Sequence, residues 1–334
     1  MKLHNKIDNA SRTDTNRSQT ITHFWNLTSF LHNVANPPLL DYLAKETVSE
    51  RILLNQLQPQ FSGRATSLLW LSCMCQLVHA TNNSRGEVRN TTVKTVLNIL
   101  DTVGDRLRCE DWETCISWVI FPMIETKLKT QHKIKSGNIE NSVNVASWNE
   151  TTKGVIEGAA TLLASYMPVI SHSSNFDQLW EDLVRFLESY LDLTSRDISS
   201  ATYSAVTRLL MSFNTGSQVV PNAIERVTAL CLSRVPVQGS ARDHETISDN
   251  DMEFVGYVNC LKEIYRLVGA SMSVERVEKI LDNLEYCLDN SQVPPYFKDA
   301  ERLTPLQANV SYTRCSMFAS QVLDGGSAPS NSLL

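Results

Sequence analysis

The chain has 334 residues, of which 42% are hydrophobic and 20% are charged, so it can bury a substantial core and general disorder is disfavoured. Its 12 glycines and 11 prolines are too few for the turns of an all-β fold of this size. The net charge is −6, with no block of like charges and no basic stripe, which argues against nucleic acid as a partner.

In chain order, the spacing of apolar residues predicts a series of helices separated by polar segments. We expect a disordered lead over 1–19, a helical-repeat region over 20–234, a linker over 235–250, a C-terminal helical region over 251–323 and a disordered tail over 324–334. No segment has the pattern of a strand. The predicted helices cover residues 21–34, 39–57, 64–81, 87–103, 110–129, 147–166, 175–191, 195–212, 219–233, 251–268, 273–288 and 303–323.

Several local signals refine these boundaries. Gly104 is a plausible C-cap, and Pro122 predicts a kink within its helix. Residues 129–146 are polar and contain a glycine, which predicts a loop. Ser147 followed by Glu150 has the spacing of a capping box at a helix start.

Short loops between the helices predict antiparallel neighbours and hence an all-α fold, a HEAT/armadillo-like helical-repeat solenoid (an α-α superhelix). An internal repeat supports this prediction. Trp70 and Trp180 are each followed 17 residues later by an acidic residue that opens a helix, Glu87 and Asp197, and the two sets are offset by 110 residues. Such an offset is longer than one helix pair, so the repeated unit contains several helices.

The sequence holds no pattern typical of a catalytic or metal site. The first 19 residues lack the apolar segment of a signal peptide, and no apolar run reaches the ~18 residues of a membrane span. The eight cysteines form no Cys-x-x-Cys pair and mostly lie in apolar helical patterns, which is typical of buried thiols in a reducing compartment. No two histidines share a helix face. We therefore expect no enzyme activity, no cofactor and no metal.

Small and aromatic residues on the predicted helices have structural and functional interpretations. Gly154 and Gly158 would allow two helices to approach closely, since no strand precedes them to form a phosphate loop. The tryptophans are expected either in the core or as exposed anchors on a binding face, and the sequence does not distinguish the two. These are Trp70, Trp112, Trp118, Trp148 and Trp180.

An ordered set of motifs resembles one family. Residues 84–96 (SRGEVRNTTVKTV), 107–112 (LRCEDW) and 120–124 (IFPMI) are similar to a conserved region of the Mon-two (monensin-sensitivity) trafficking proteins, whose repeats also occur in the large Arf guanine-nucleotide exchange factors. Residues 147–151 (SWNET), the helix around Trp180 and residues 303–307 (LTPLQ) follow in the family's order. Thr92 and Asn98 replace residues that are often apolar or aromatic, as in a divergent member.

The resemblance covers roughly residues 60–310 and the C-terminal part of a longer family protein. It implies a non-catalytic scaffold in endosome-to-Golgi and vesicle-mediated protein transport, including endocytosis. The expected location is cytoplasmic, peripheral on the Golgi, trans-Golgi network and endosomes. Implied partners are a Dopey-type protein, an aminophospholipid flippase complex and an Arf-like GTPase, with membrane association through partners and no nucleic acid.

Two alternatives remain from the sequence. One is an unrelated HEAT/armadillo adaptor in nuclear transport or phosphatase regulation, and the other is an Arf-type exchange factor, for which no catalytic segment is evident. Candidate partner-binding residues are Glu87, Arg89, Asn90 and Trp112. Glu87 and Arg89 also have a purely structural interpretation, as loop-to-helix capping and ion-pairing residues.

Overall fold

A computed structural model describes residues 62–137, 142–193, 195–213, 221–236, 247–290 and 305–323. Within these ranges every regular element is helical, which confirms the all-α prediction. The predicted lead, the two helices over 21–34 and 39–57, and the tail lie outside the described residues. So does most of the predicted linker over 235–250, which stays a prediction.

The described residues contain eleven α-helices and two short segments of other helical types. The α-helices are α1 Ser62–Ala80, α2 Gly86–Gly104, α3 Cys109–Cys115, α4 Phe121–Lys135, α5 Ser142–Ile170, α6 Phe176–Leu191, α7 Arg196–Met211, α8 Pro221–Ser233, α9 Ile247–Val268, α10 Val274–Asp289 and α11 Pro305–Leu323. A π-helical turn, Ile116–Ile120, joins α3 to α4, and a 3₁₀ turn, Gly269–Ser271, follows α9.

The helices form two compact units, one ending at Leu179 and one beginning at Trp180 within α6. In the first unit α2 packs on α5, and α1 packs on α4. Residue numbers rise together along α2 and α5, because Arg89 contacts Ser147 at one end and Tyr166 contacts Asp101 at the other. These two helices are therefore parallel, as expected when antiparallel helix pairs stack on one another.

The second unit repeats this arrangement in two layers. In one layer Trp180 contacts Ala223 and Asp192 contacts Arg234, so α6 and α8 run parallel. In the other layer α9 is parallel to α7 and to α11, as a series of contacts along each pair shows. These are Thr207 with Cys260, Leu210 with Arg266, Asn259 with Asn309, and Tyr265 with Met317.

Two buried tyrosines join the layers of the second unit. The rings of Tyr203 and Tyr257 pack edge to face with centroids 5.4 Å apart. Their hydroxyls donate to the carbonyls of Arg234 and Cys231 at 2.8 and 3.0 Å. Those carbonyls lie at the C-terminal end of α8, where no intrahelical donor reaches them. Burial raises the pKa of both phenols, so they stay protonated donors.

The 110-residue repeat is consistent with the helix positions. The helices α2 and α7 begin at Gly86 and Arg196, which are 110 residues apart. The matched Trp70 and Trp180 are both buried. Because the π turn joins α3 and α4 into one continuous helix, four helices run from the start of α2 to the start of α7. The repeated unit therefore consists of two helix pairs.

Some predicted boundaries are wrong. The loop predicted over 129–146 is largely helical in its described part, because α4 continues to Lys135 and α5 already begins at Ser142. Ser147 therefore lies inside α5 and caps nothing; its hydroxyl accepts a hydrogen bond from Arg89. The helix predicted from 251 begins at Ile247. Polar residues on these helix ends obscured the periodicity.

The irregularity predicted at Pro122 is a π turn rather than a break in the chain. The Phe121 N–H bonds the Ile116 carbonyl five residues back. Pro122 has no N–H to offer the Trp118 carbonyl. The Cys75 thiol points at that carbonyl from α1, with a sulfur–oxygen distance of 3.8 Å.

Gly104 and Gly154 show how differently two helical glycines can be used. Gly104 is not in a left-handed conformation and is not the C-cap, which is Asp105. A β-carbon at Gly104 would lie 2.3 Å from Cζ of Tyr166, whereas one at Gly154 would meet nothing within 4 Å. The predicted close approach holds at Gly158, where a β-carbon would lie 2.3 Å from Leu97.

We expect Gly104→Ala to destabilise the chain by about 1–3 kcal/mol, because the rigid Tyr166 ring must move. Gly154→Ala is the matched control and should stabilise by about 0.5–1 kcal/mol through its higher helix propensity. Urea unfolding of both variants measures the difference. Equal effects would contradict the assigned role of Gly104.

Candidate functional site at the α1–α2 turn

Three of the four candidate residues lie near the start of α2, next to the turn that joins it to α1. Thr81 directly follows α1, and its hydroxyl donates to the Val78 carbonyl at 2.6 Å. The Asn83 side chain accepts the Arg85 N–H at 3.0 Å, which closes an Asx turn. This geometry leaves the carbonyls of residues 81, 83 and 84 without an intrahelical donor.

Arg89 is buried, with 1% of its surface exposed, and it satisfies two of those carbonyls. Its Nη1 donates to the carbonyls of Asn83 and Ser84, both at 2.9 Å. Its Nη2 and Nε donate to the hydroxyls of Ser147 at 2.7 Å and Thr151 at 3.2 Å on α5. The guanidinium therefore ties the turn to the neighbouring helix pair.

Lys127 on α4 is a second buried cation beside the same turn. Its side chain is 0% exposed, and Nζ donates to the Thr81 carbonyl at 2.6 Å and to the Asn82 side-chain oxygen. Burial, and secondly the charge of Arg89, lower the pKa of Lys127 from 10.5 to about 7.

The indole of Trp148 lies close to both cations. Cζ of Arg89 is 3.6 Å from the centre of the ring, and Nζ of Lys127 is 5.4 Å from it. The negative face of an indole attracts cations, and this attraction is stronger away from water. We call Arg89, Lys127 and Trp148 the two-cation cluster.

Neutral groups complete the surroundings of the two-cation cluster. The Thr151 hydroxyl donates to the Asn90 side chain at 2.6 Å. The Gln131 amide donates to Asn149 at 3.1 Å and to Thr152 at 3.0 Å. The acceptors described above for the two cations are carbonyls and hydroxyls, and the carboxylate of Glu150 acts on Arg89 through its electric field.

Trp112, the fourth candidate, lies away from this turn and within the core of the first unit. Its side chain is 0% exposed, so it is not an anchor on an exposed face. Its indole N–H donates to the Gly104 carbonyl at 3.3 Å, and its ring stacks on Tyr166 with centroids 4.7 Å apart. Trp70 and Trp180 are also buried, so for these three the core interpretation is confirmed.

The structure therefore separates the four candidates. Arg89 and Trp112 are buried and stabilise the fold, whereas Glu87 is exposed and Asn90 is half-buried beside Thr151. The sequence analysis missed Lys127 and Trp148 as partners of Arg89. One signal was available: Lys127 continues the apolar stripe of Ile120 and Met123, and a cation in such a stripe indicates a buried polar contact.

The described residues offer no metal centre and no membrane span. None of them forms a group of three or more His, Cys, Asp or Glu able to hold an ion. None of their helices is both long and apolar enough to cross a bilayer. The acidic residues Glu110 and Asp111 lie in the first turn of α3, where Asp111 accepts the Arg108 N–H at 3.1 Å.

We expect Arg89→Met to destabilise the chain by about 2–4 kcal/mol, because it leaves two partly buried carbonyls and two hydroxyls without this donor. Lys94→Met changes an exposed cation on the same helix and should stay within about 0.5 kcal/mol of the parent. Thermal or urea unfolding compares them. A loss for Arg89→Met no larger than that of the control would show that Arg89 is dispensable.

Lys127 predicts a pH dependence of stability. Its lowered pKa means that the folded chain binds fewer protons than the unfolded chain between about pH 7 and 10.5. The free energy of unfolding should therefore rise with pH in that window, by up to about 1.4 kcal/mol per pH unit. Below pH 7 both states are protonated and the dependence stops.

Urea unfolding at several pH values, with Lys127→Met as the reference, isolates this contribution. The difference between parent and variant should slope upward above pH 7 in the parent's favour. A flat difference across the window would show that Lys127 titrates normally in the folded chain.

Comparison with known proteins shows what this chain is similar to. A family model described as the GBF1-like tetratrico peptide repeat region matches residues 70–230, which include the whole two-cation cluster. Protein MON2 of Saccharomyces cerevisiae is 21% identical over 305 residues. No solved structure matches the chain.

The MON2 match covers 86% of this chain and 17% of the yeast protein, so the chain spans about a sixth of that relative's length. Tetratricopeptide and HEAT arrays are both stacks of helix pairs, so the family model and the fold agree. The match, the family model and the arrangement of helix pairs together show that this chain is a relative of the MON2 and GBF1-like proteins.

Proposed function

We propose that the chain is part of a non-catalytic scaffold in endosome-to-Golgi and vesicle-mediated protein transport. The observation that carries this proposal is the similarity to MON2 along 86% of the chain. The motif residues Arg89, Ser147 and Thr151 supply contacts that hold α2 against α5. Motif residues that serve packing fit a protein that acts by holding a surface in place.

The proposed partners are a Dopey-type protein, an aminophospholipid flippase complex and an Arf-like GTPase. The proposed location is the cytoplasmic side of the Golgi, trans-Golgi network and endosomes, with membrane attachment through these partners. Glu87 and Asn90 are the proposed contact residues at the α1–α2 turn, since they retain exposed surface. Their position beside a rigid turn favours a defined contact.

Fluorescent tagging in the native host tests the location. We expect punctate Golgi and endosomal signal, and affinity purification should recover a Dopey-type protein. A nuclear signal would instead support the alternative of an unrelated adaptor. Accelerated nucleotide release from an Arf-like GTPase by the chain alone would support the exchange-factor alternative.

Glu87→Arg tests the proposed contact with partners. We expect it to lower recovery of the Dopey-type protein about five- to tenfold without changing stability, because a reversed charge at a contact repels its partner. Asp105→Arg reverses another exposed acid just beyond the far end of α2 and is the matched control. Equal recovery with both variants would remove Glu87 from the contact surface.

A further inference from the structure

On the side of the second unit formed by α6, α8 and α10, several charged side chains form ion pairs between helices. Arg226 bridges Glu181 and Glu188 at 3.1 and 3.0 Å, which joins α6 to α8. Arg234 likewise pairs with Asp192 at 3.0 Å. Arg276 of α10 pairs with Glu225 of α8. These helices are linked by ion pairs, and residues 274–289 carry a formal net charge of −3, from five carboxylates and two cations.

The opposite side, formed by α7, α9 and α11, differs in chemistry. Of the large apolar or aromatic side chains exposed in the described part of the second unit, three lie on these helices. Met211 is 63% exposed, Met252 57% and Tyr312 60%. The helices of this side approach closely. Gly256 of α9 packs against the backbone of Ser200 and Ser204 on α7, and Asn309 of α11 donates to Asn259 of α9 at 2.7 Å.

The C-terminal half of this side is basic although the chain as a whole is acidic. Residues 204–213, 259–268 and 309–317 contain four cations, Arg208, Lys262, Arg266 and Arg314, and one carboxylate, Glu263, for a formal net charge of +3. Arg266 already pairs with Glu263. Lys262 lies over the ring of Tyr312, with Nζ 4.7 Å from its centre.

The helix registers bring these groups to one level. Thr207 lies beside Cys260 and Leu210 beside Arg266, so Met211 is level with the last turns of α9. Lys262 and Tyr312 occupy the same level on α9 and α11. We call Arg208, Met211, Lys262 and Tyr312 the basic–aromatic face. Its two apolar anchors lie on the outer helices, and Lys262 lies between them.

We propose that the basic–aromatic face binds an acidic amphipathic helix of a partner protein, which crosses α7, α9 and α11. Helices pack 8–10 Å apart, so crossing three of them takes about 20 Å, or roughly 13 residues of helix. Apolar side chains of the partner would contact Met211 and Tyr312, and its carboxylates would pair with Lys262 and the neighbouring arginines. This inference rests on the proposed scaffold function and names one of its binding surfaces.

A protein partner fits better than a lipid surface. Binding to anionic lipid through charge alone typically uses a cluster of 4–8 Lys or Arg residues. This region has four such residues, at the lower limit of that range, and Glu263 pairs with one of them, Arg266. The exposed tyrosine and methionine add the apolar anchors that are enriched in protein interfaces.

The test uses the full chain and a fluorescein-labelled designed helix of about 14 residues, with leucines on one face and glutamates on the other. Fluorescence anisotropy at low ionic strength measures the dissociation constant. We expect Tyr312→Ala and Lys262→Glu each to weaken binding about tenfold. Lys279→Glu makes the same charge change on exposed α10 and should alter binding less than twofold.

Three results would overturn the assignment. The first is an equal loss with Lys262→Glu and Lys279→Glu, which would indicate a general charge effect. The second is equal binding of a peptide in which lysines replace the glutamates. The third is Lys262-dependent binding to phosphatidylserine-containing vesicles without binding to the peptide.

The experiment separates this inference from the proposed function. If the peptide does not bind while the tagged chain still localises to Golgi and endosomal membranes, the scaffold function stands and this face is wrong. If the tagged chain is absent from those membranes while the peptide binds as expected, the face stands and the trafficking role is wrong.

Discussion

The burial of one guanidinium organises the first unit. Arg89 donates to two carbonyls of the α1–α2 turn and to two hydroxyls on α5, and its charged plane lies 3.6 Å from the centre of the Trp148 ring. A buried charge without such partners would be expelled or neutralised, so the residues around it are constrained together. Lys127 depends on the same turn from α4. Four helices thus share one polar junction, and a change at any of its members is felt by the others.

Stacked parallel helices explain why function should be sought on a surface. Each helix pair buries its apolar side against the next pair, so the fold makes extended faces rather than an enclosed pocket. In the second unit the two sides have diverged. Ion pairs link the helices of one side. The other side exposes methionine and tyrosine beside a half-buried lysine, over helices joined by close packing and an amide pair. Partner binding is proposed on this side because its large apolar and aromatic side chains reach solvent.

The sequence predicted the helical class, most helix positions and the 110-residue repeat, because apolar periodicity is a local property of the chain. It failed where polar residues continue a helix, as over Lys133–Lys135 and at Ser142, since the pattern there is that of a loop. Arg89 was singled out as a partner-binding candidate, yet the structure buries it against Ser147 and Thr151, which lie 58 and 62 residues away along the chain. Trp112 was placed among exposed candidates because an aromatic residue has the same local pattern in a core and on an interface. Long-range pairing decides both cases, and no local pattern contains it.

The π turn before Pro122 sets the directions in which the side chains of α4 project. A five-residue turn inserts one more residue than an α-helix would hold, and each residue of an α-helix advances about 100° around the axis. The side of α4 that carries Lys127 is therefore offset by about that angle from the direction an uninterrupted helix would give it. With a regular turn at Ile116–Ile120, the ammonium group would point away from Thr81 and Asn82. The π turn thereby sets the direction of a lysine that lies later in α4, and a gain or loss of a single residue there would turn Lys127 away from Thr81 and Asn82.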